Sequence, residues 1–452
     1  MDMTKVWQYI DDHREEYLAL LEKFVGQPSI SAQGVGLREM AQMVLETQQA
    51  LGAKSQLVET CKYPIVSGYI DNGAERTILL YNHYDVQPPE PLEKWNTDPF
   101  KATIIDGKLF ARGSADNKGS MLSRYCAIDA YQKVYGKLPV NIRFLTEGGE
   151  EIGSPGLMDF IKQNPDKIDA DGIIWEGGSK DINDGPLQIA LGIKGLCYVE
   201  LRCKGAKNDM HSMNAAIVES PAWRLVWALS TLKNQNEEIT IEGFNEAVVP
   251  PTQSDIEAIR TMHFDEKGML EAIDMDHFVG KLTGLPLLEK FLYQPALNIC
   301  GIETGYTGEG AKTVLPNYAM AKLDFRICQG QTPELVLDLL RKHLDRHGFE
   351  DIEIVNYSNT VPYRGSVDSL IAKATIQNVE RVYGTPPTVY TCLAGSSGMG
   401  YFCNATGIPA VCFGVYNDDS QPHAPNEYIF VEDYIKGIKL STCVLHDFAD
   451  VQ

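Results

Sequence analysis

The run TILLYNHYDV at 77–86 is rich in β-favouring residues and stops at a polar, proline-rich loop. SQLVE, the PIVSGYI segment, VNIRFLT and the stretch 172–175 read as further strands of the same kind. The apolar spacing predicts helices between them, up to about Phe24, over 37–51 and over 117–135. Strands alternating with helices fold into a largely parallel sheet covered on both faces. The pattern returns from about residue 366 with a long helix, TVYT, GIPAVCFG and a terminal helix.

The texture changes near Gly192. LCYVELRCKG and AMAKLDFRI alternate like antiparallel strands, 222–232 reads as a helix, LVLDLLRKHLDRHG is amphipathic, and IEIVNY closes the set. These elements make a compact α+β unit. The expected fold is an α/β domain of 1–191 and 364–452 with a mostly parallel sheet, interrupted by an α+β domain of 192–363. A length of 452 residues also argues for two domains rather than one core.

Asp and Glu number 61 against 40 Lys and Arg, a formal charge of −21. Such a surface repels phosphate backbones and anionic lipid, so neither nucleic acid nor membrane is an expected partner. No apolar run approaches the roughly 20 residues of a membrane span. The opening MDMTKVWQYIDDHREEY lacks an apolar core of the kind a signal peptide needs, and a cytoplasmic location is expected. None of the ten cysteines forms a CxxC pair, which disfavours a disulfide framework and favours reduced, buried thiols.

Chemistry gathers where strands end, the place where open α/β sheets hold ligands. His83 and Asp85 close the 77–86 run. Two apart in an extended segment, they point the same way, so Asp85 can bond one imidazole nitrogen while the other meets a metal. Asp116, in FARGSADNKGS, is either a helix cap or a carboxylate bridging two cations. Glu150 and Glu151, in TEGGEEIGSPG, are adjacent and point apart, so one can ligate while the other stands over a bound water. Glu176 follows a buried strand, and a solvated loop carboxylate is as good a reading of it alone. His423 lies in the proline-hemmed DSQPHAPNE. Two histidines and four carboxylates near strand ends of one discontinuous domain suit zinc, with manganese or cobalt as substitutes. No serine or cysteine stands in a nucleophile motif, which leaves activated water as the nucleophile.

The motifs H-x-D, A-R-G-S-A-D-N-K-G, E-G-G-E-E-I-G-S and H-A-P-N-E, in this order, resemble the aminoacylase/carnosinase/glutamate-carboxypeptidase family of dinuclear zinc exopeptidases. W-N-T-D-P-F-K-A and G-A-K-T-V-L-P are most similar to its cytosolic nonspecific dipeptidase and carnosinase branch. The resemblance implies a zinc-exopeptidase-like catalytic domain with a ferredoxin-like dimerisation or lid insert, and a homodimer. It implies that His83 and Glu176 bind one metal, Glu151 and His423 the other, with Asp116 bridging. Glu150 becomes the general base, Asp85 the partner of His83, and the Asp116–Asn117 peptide is expected to be cis. It further implies that His211 steadies the oxyanion across the dimer, that Arg326 holds the substrate carboxylate, and that Ser396 lies in a substrate-binding loop.

The chain departs from that branch in two places. The branch usually has aspartate where this chain has Glu176, glutamate being more typical of the carboxypeptidases and aminoacylases. Met213 replaces the glycine that usually follows H-S, and the downstream glycine pair is missing from NAAIVES. The expected function is metal-dependent hydrolysis of dipeptides or other short peptides with a free C-terminus, by a water between two metal ions with Glu150 as base. The rivals are an N-acyl-amino-acid deacylase or a carboxypeptidase with the same metals, and a catalytically silent binding protein.

Overall fold

The structure, a computed structural model, describes residues 2–181, 185–262 and 264–452. Its contacts divide the chain into two units, one of 1–192, 365–391 and 402–452 and the other of 193–364 and 392–401.

The first unit is built on an eight-stranded sheet. Its order is Lys54–Val58, Ile65–Ile70, Asn141–Glu147, Thr77–His83, Gly172–Trp175, Ala410–Cys412, Gln188–Ala190 and Thr388–Tyr390. Thr77–His83 sits between two parallel neighbours, Asn141–Glu147 and Gly172–Trp175, and Ala410–Cys412 extends the parallel run beyond the latter. Leu57 and its neighbours add an antiparallel edge. Thr77–His83 is buried from Ile78 to His83, which explains its unbroken apolar sequence: both sheet faces are covered. Ser120–Tyr135 and the terminal helix Val431–Asp447 pack against one another within the same core.

Two helical expectations are refined. The opening stretch is two helices, Met3–Asp12 and Arg14–Val25, because His13 leaves helical geometry at φ −110° and stacks on Tyr9. Each helix buries its own stripe, so the apolar spacing alone does not reveal the break. The helix expected from residue 117 starts at Ser120, because 114–119 form a wide turn in which Asp116 is extended.

The second unit holds a four-stranded antiparallel sheet in the order Ala296–Thr304, Tyr318–Ile327, Gly195–Lys204 and Glu353–Thr360. Tyr318–Ile327 alternates buried and half-buried residues along its whole length, as a strand with one core face must. Leu225, Ala228 and Leu232 of Pro221–Leu232, with Val336, Leu340 and Leu344 of Pro333–Arg346, close that core. The edge strand Ala296–Thr304 is mostly exposed and carries no clear alternation, which is why its sequence does not announce it.

Leu80 lies in the middle of the first unit's sheet and is almost fully buried. Leu80→Ala should cost about 2–5 kcal/mol, read as a fall in the midpoint of the urea transition followed by tryptophan fluorescence.

Candidate metal centre

Three parallel strands end side by side and deliver most of the candidate residues. His83 is the last residue of Thr77–His83, Glu150 and Glu151 form the turn after Asn141–Glu147, and Glu176 follows Gly172–Trp175. The turn after Asn141–Glu147 can pass close to the sheet only because Gly148 lacks a side chain: a Cβ there would lie 2.3 Å from the Tyr84 ring. Tyr81 and Ser154 both donate to the Glu147 carboxylate, at 2.6 and 2.8 Å, and tie the two ends of this loop together. Asp116 arrives from a turn entered through Gly113 at φ 82°, and the Asp116–Asn117 peptide is cis.

The side chains converge on Asp116. His83 Nε2 lies 2.9 Å from its Oδ1, and His423 Nε2 lies 3.1 Å from its Oδ2. His423 Nε2 is also 3.2 Å from Glu151 Oε2. One donor atom from each of His83, Asp116 and Glu151 falls within 4.8 Å of the others, close enough to share an ion. Nitrogen and carboxylate oxygen donors at this spacing fit a divalent cation such as zinc.

Asp85 does more than orient a histidine. His83 Nδ1 bonds to the Asp85 carbonyl at 3.1 Å and stands 3.4 Å from its carboxylate. That carboxylate in turn accepts the backbone amides of Glu150 and Glu151, at 3.2 and 3.1 Å. A single aspartate therefore ties the histidine to the loop bearing both glutamates.

The electrostatics are those of a site awaiting positive charge. Burial raises the Glu150 pKa well above the usual carboxylate value, and the charges of Glu176, Asp116 and Glu151 add to it. Burial likewise pushes Glu176 up to about 7, with Asp116 and Glu151 reinforcing the shift. Burial opposes charge on His83, but its bonds to Asp116 and Asp85 win and raise its pKa. Bonds to Asp116 and Glu151 raise His423 to about 10. Burial alone would raise Asp116, but bonds from His423 and His83 hold it low. A bound cation would replace these protons as the compensating charge.

Other residues of the site are not evident from the sequence motifs. Gln87 donates to Glu151 Oε2 at 2.9 Å and fixes its orientation. Asn82 donates to Asn117 Oδ1 at 2.6 Å beside the Asp116 turn. Arg124, buried, donates to the carbonyls of Tyr81, Trp175 and Phe413 and so ties strand ends together. Glu427 accepts the amides of the Asp116 turn. Their sequence signals are slight: Gln87 follows H-x-D, and Glu427 closes the H-A-P-N-E motif without its role being visible there.

His211, Arg326 and Ser396 belong to the second unit. His211 is exposed, and its Nδ1 accepts the Met213 amide at 3.1 Å. Arg326 pairs with Asp324 at 3.2 Å and donates to Ser396 Oγ at 3.1 Å, which brings these two sequence-predicted residues together.

Carboxylates and imidazoles clustered at the carboxyl ends of parallel strands are the donor set of a metal-dependent enzyme. The chain belongs to peptidase family M20/M25/M40, whose sequence pattern matches residues 79–447. It is 29% identical to the Cys-Gly metallodipeptidase dug1 of Schizosaccharomyces pombe, over 100% of this chain and 99% of that one. It is 28% identical to the human Beta-Ala-His dipeptidase, over 99% of this chain and 93% of the relative. Among solved structures, it matches the M20 family metallo-carboxypeptidase Sso-CP2 from Sulfolobus solfataricus with a TM-score of 0.89. That match has 40% identity and covers 96% of this chain and 99% of the other.

Because Asp85 serves His83 and two loop amides at once, Asp85→Asn should weaken metal binding or activity by about 10–100-fold. The far-UV circular dichroism should be unchanged, and a chelator-competition assay of zinc affinity reads the loss.

Proposed function

We propose that this chain is a cytoplasmic, homodimeric exopeptidase that uses two divalent metal ions to hydrolyse dipeptides and other short peptides with a free C-terminus. The observation that carries the reading is the Asp116 carboxylate, whose two oxygens face two different histidines. That arrangement supports a bridge between one ion held by His83 and Glu176 and a second held by Glu151 and His423. The dipeptidase relatives, aligned over nearly the whole chain, support the substrate class. Ten free cysteines, eight of them buried, fit a reducing compartment.

Residues 1–191 and 364–452 are, on this reading, the catalytic domain, and 192–363 the dimerisation and lid domain. Zinc, with manganese or cobalt as substitutes, would supply the Lewis acidity that such a hydrolysis needs when held by these residues. Glu150, whose burial keeps its proton affinity high, takes the proton from that water and returns it to the leaving amine. Asp85 keeps the Glu150 loop and the His83 ring in register. His211 meets the charge that builds on the carbonyl oxygen in the partner protomer's site. Arg326, steadied by Ser396, pairs with the substrate carboxylate and so restricts peptide length.

Self-association is supported by the helix Pro221–Leu232, which leaves Trp223 and Trp227 60% and 56% exposed with their rings stacked at 5.9 Å. Exposed aromatic pairs of this kind mark contact surfaces. A carboxypeptidase reading is favoured by one specific observation, the 40% identity to a metallo-carboxypeptidase structure.

A panel of free dipeptides, their N-acetylated forms and longer peptides, assayed before and after chelation with metal restored, separates the readings. Metal-dependent cleavage confined to short free peptides is expected. Efficient release of C-terminal residues from long peptides would make the chain a carboxypeptidase, and preference for the acetylated set a deacylase. Glu150→Gln should lower kcat by about 10²–10⁴-fold with little change in KM. Mixing Glu150→Gln with His211→Ala protomers should restore roughly a quarter of wild-type activity, since half the random dimers carry one intact composite site. No recovery on mixing would place His211 outside the partner's chemistry.

A further inference from the structure

We infer that Glu427 is a positioning residue that locks the Asp116 turn and the His423 loop into one site, so that metal affinity depends on its carboxylate. The inference rests on the metal reading above.

The local fold explains why Glu427 meets that turn. Tyr428–Phe430 pairs antiparallel with Lys108–Phe110, and the Ala111 amide donates to the Glu427 carbonyl at 3.1 Å. The chain beyond Phe110 therefore runs directly past Glu427 as it turns toward Asp116. The carboxylate is fully buried and receives four donors, two on each oxygen. Oε1 takes the amides of Ala115 and Asp116 at 2.9 and 3.0 Å. Oε2 takes Arg112 Nη1 at 2.6 Å and the Gly113 amide at 3.0 Å.

Only an ionised carboxylate meets this demand, because it alone among side chains of this shape offers two oxygens that both act purely as acceptors. Glutamine, flipped either way, would turn its NH2 against two donors. The Asp116 turn would then lose two anchors whichever way the amide pointed.

The other half of the lock is the loop that carries His423. Gln421, His423 and Asn426 all have positive φ, at 54°, 64° and 65°, a region that side chains rarely occupy without outside support. Support comes from the end nearest Glu427. Asn426 accepts the Asn96 amide at 2.7 Å and donates to the Lys94 carbonyl at 2.9 Å, and the next residue is the buried Glu427. The Asp116 turn and the His423 loop are thus held in place by different parts of the chain, and Glu427 is the point where they are joined.

Glu427→Gln and Glu427→Asp in the full chain test this, with Asn141→Ala as a control for stability loss elsewhere. Asn141 accepts the Asn72 and Ala74 amides at the far end of Asn141–Glu147. Zinc affinity of the chelated protein is measured by competition with a chromophoric chelator, cobalt coordination by visible absorption, and stability by urea midpoint. Glu427→Gln should bind zinc at least about tenfold more weakly and shift the cobalt spectrum, with Glu427→Asp intermediate. Asn141→Ala should lose midpoint only. Both Glu427 variants retaining wild-type affinity and spectrum while their midpoints fall would overturn the inference and leave Glu427 a structural residue. Should Glu427→Gln fail to fold, Glu427→Asp decides by the same two readouts. A wild-type protein that binds neither zinc nor cobalt would overturn the metal reading itself, and this inference with it.

Discussion

The site depends on one carboxylate reached from both ends of the chain. Asp116 meets His83 through one oxygen and His423 through the other, although 307 residues separate it from the second. Everything around it serves to hold that geometry. The cradle of amides donating to Glu427 fixes the turn, Asp85 fixes His83 and the glutamate loop, and Gln87 fixes Glu151. A parallel sheet suits this purpose because its strands end together. Ligands separated by long helical crossovers in sequence are then brought within a few ångströms of one another.

Much negative charge is concentrated under cover here, and besides Arg112, which pairs directly with Glu427, two buried basic groups nearby bond to carbonyls instead of carboxylates. Arg124 spends its guanidinium on three strand-end carbonyls, and burial lowers its pKa to about 10. Lys118, two residues past Asp116, donates to the carbonyls of Phe24 and Gln27, and burial lowers it to about 7. These groups stabilise the scaffold beside the acids while leaving the acids' own oxygens free to ligate. Burial is the main reason that Glu150 and Glu176 keep raised pKa values, and the neighbouring carboxylates add to it while His83 opposes it. That is the condition in which a divalent cation binds with the most to gain.

Much of this was legible in the sequence, for identifiable reasons. Thr77–His83 and its parallel neighbours are buried on both faces, so their composition alone marks them, and the ionisable residues at their ends stand out against it. Gln188–Ala190 did not stand out, being three residues long without the apolar run that marks Ala410–Cys412. The break at His13 was hidden because both helices continue an apolar stripe. Gln87, Arg124 and the role of Glu427 within H-A-P-N-E were hidden for a different reason. Each acts on backbone amides or carbonyls, or on another side chain brought near by folding, and no local pattern records such partners.

The same logic limits what the metal site can say about substrate. The dipeptidases and the carboxypeptidase to which this chain is similar share the hydrolysis of an amide bond, so the groups that bind metal and move the proton need not differ among them. Glu176 is one of the proposed ligands, and glutamate there in place of aspartate would lengthen the side chain without changing its donor chemistry. Peptide length must instead be read by groups that touch the ends of the substrate. On the proposed reading Arg326 serves one end: a guanidinium already oriented by Asp324 and Ser396 loses less freedom on taking a carboxylate than a free one would. Selection between a dipeptide and a longer chain then turns on whether anything recognises the ammonium at the other end. An ammonium can be met by a carboxylate, by carbonyl oxygens or by an aromatic face, so the groups that would divide dipeptidase from carboxypeptidase are to be sought among those that touch the substrate's free end.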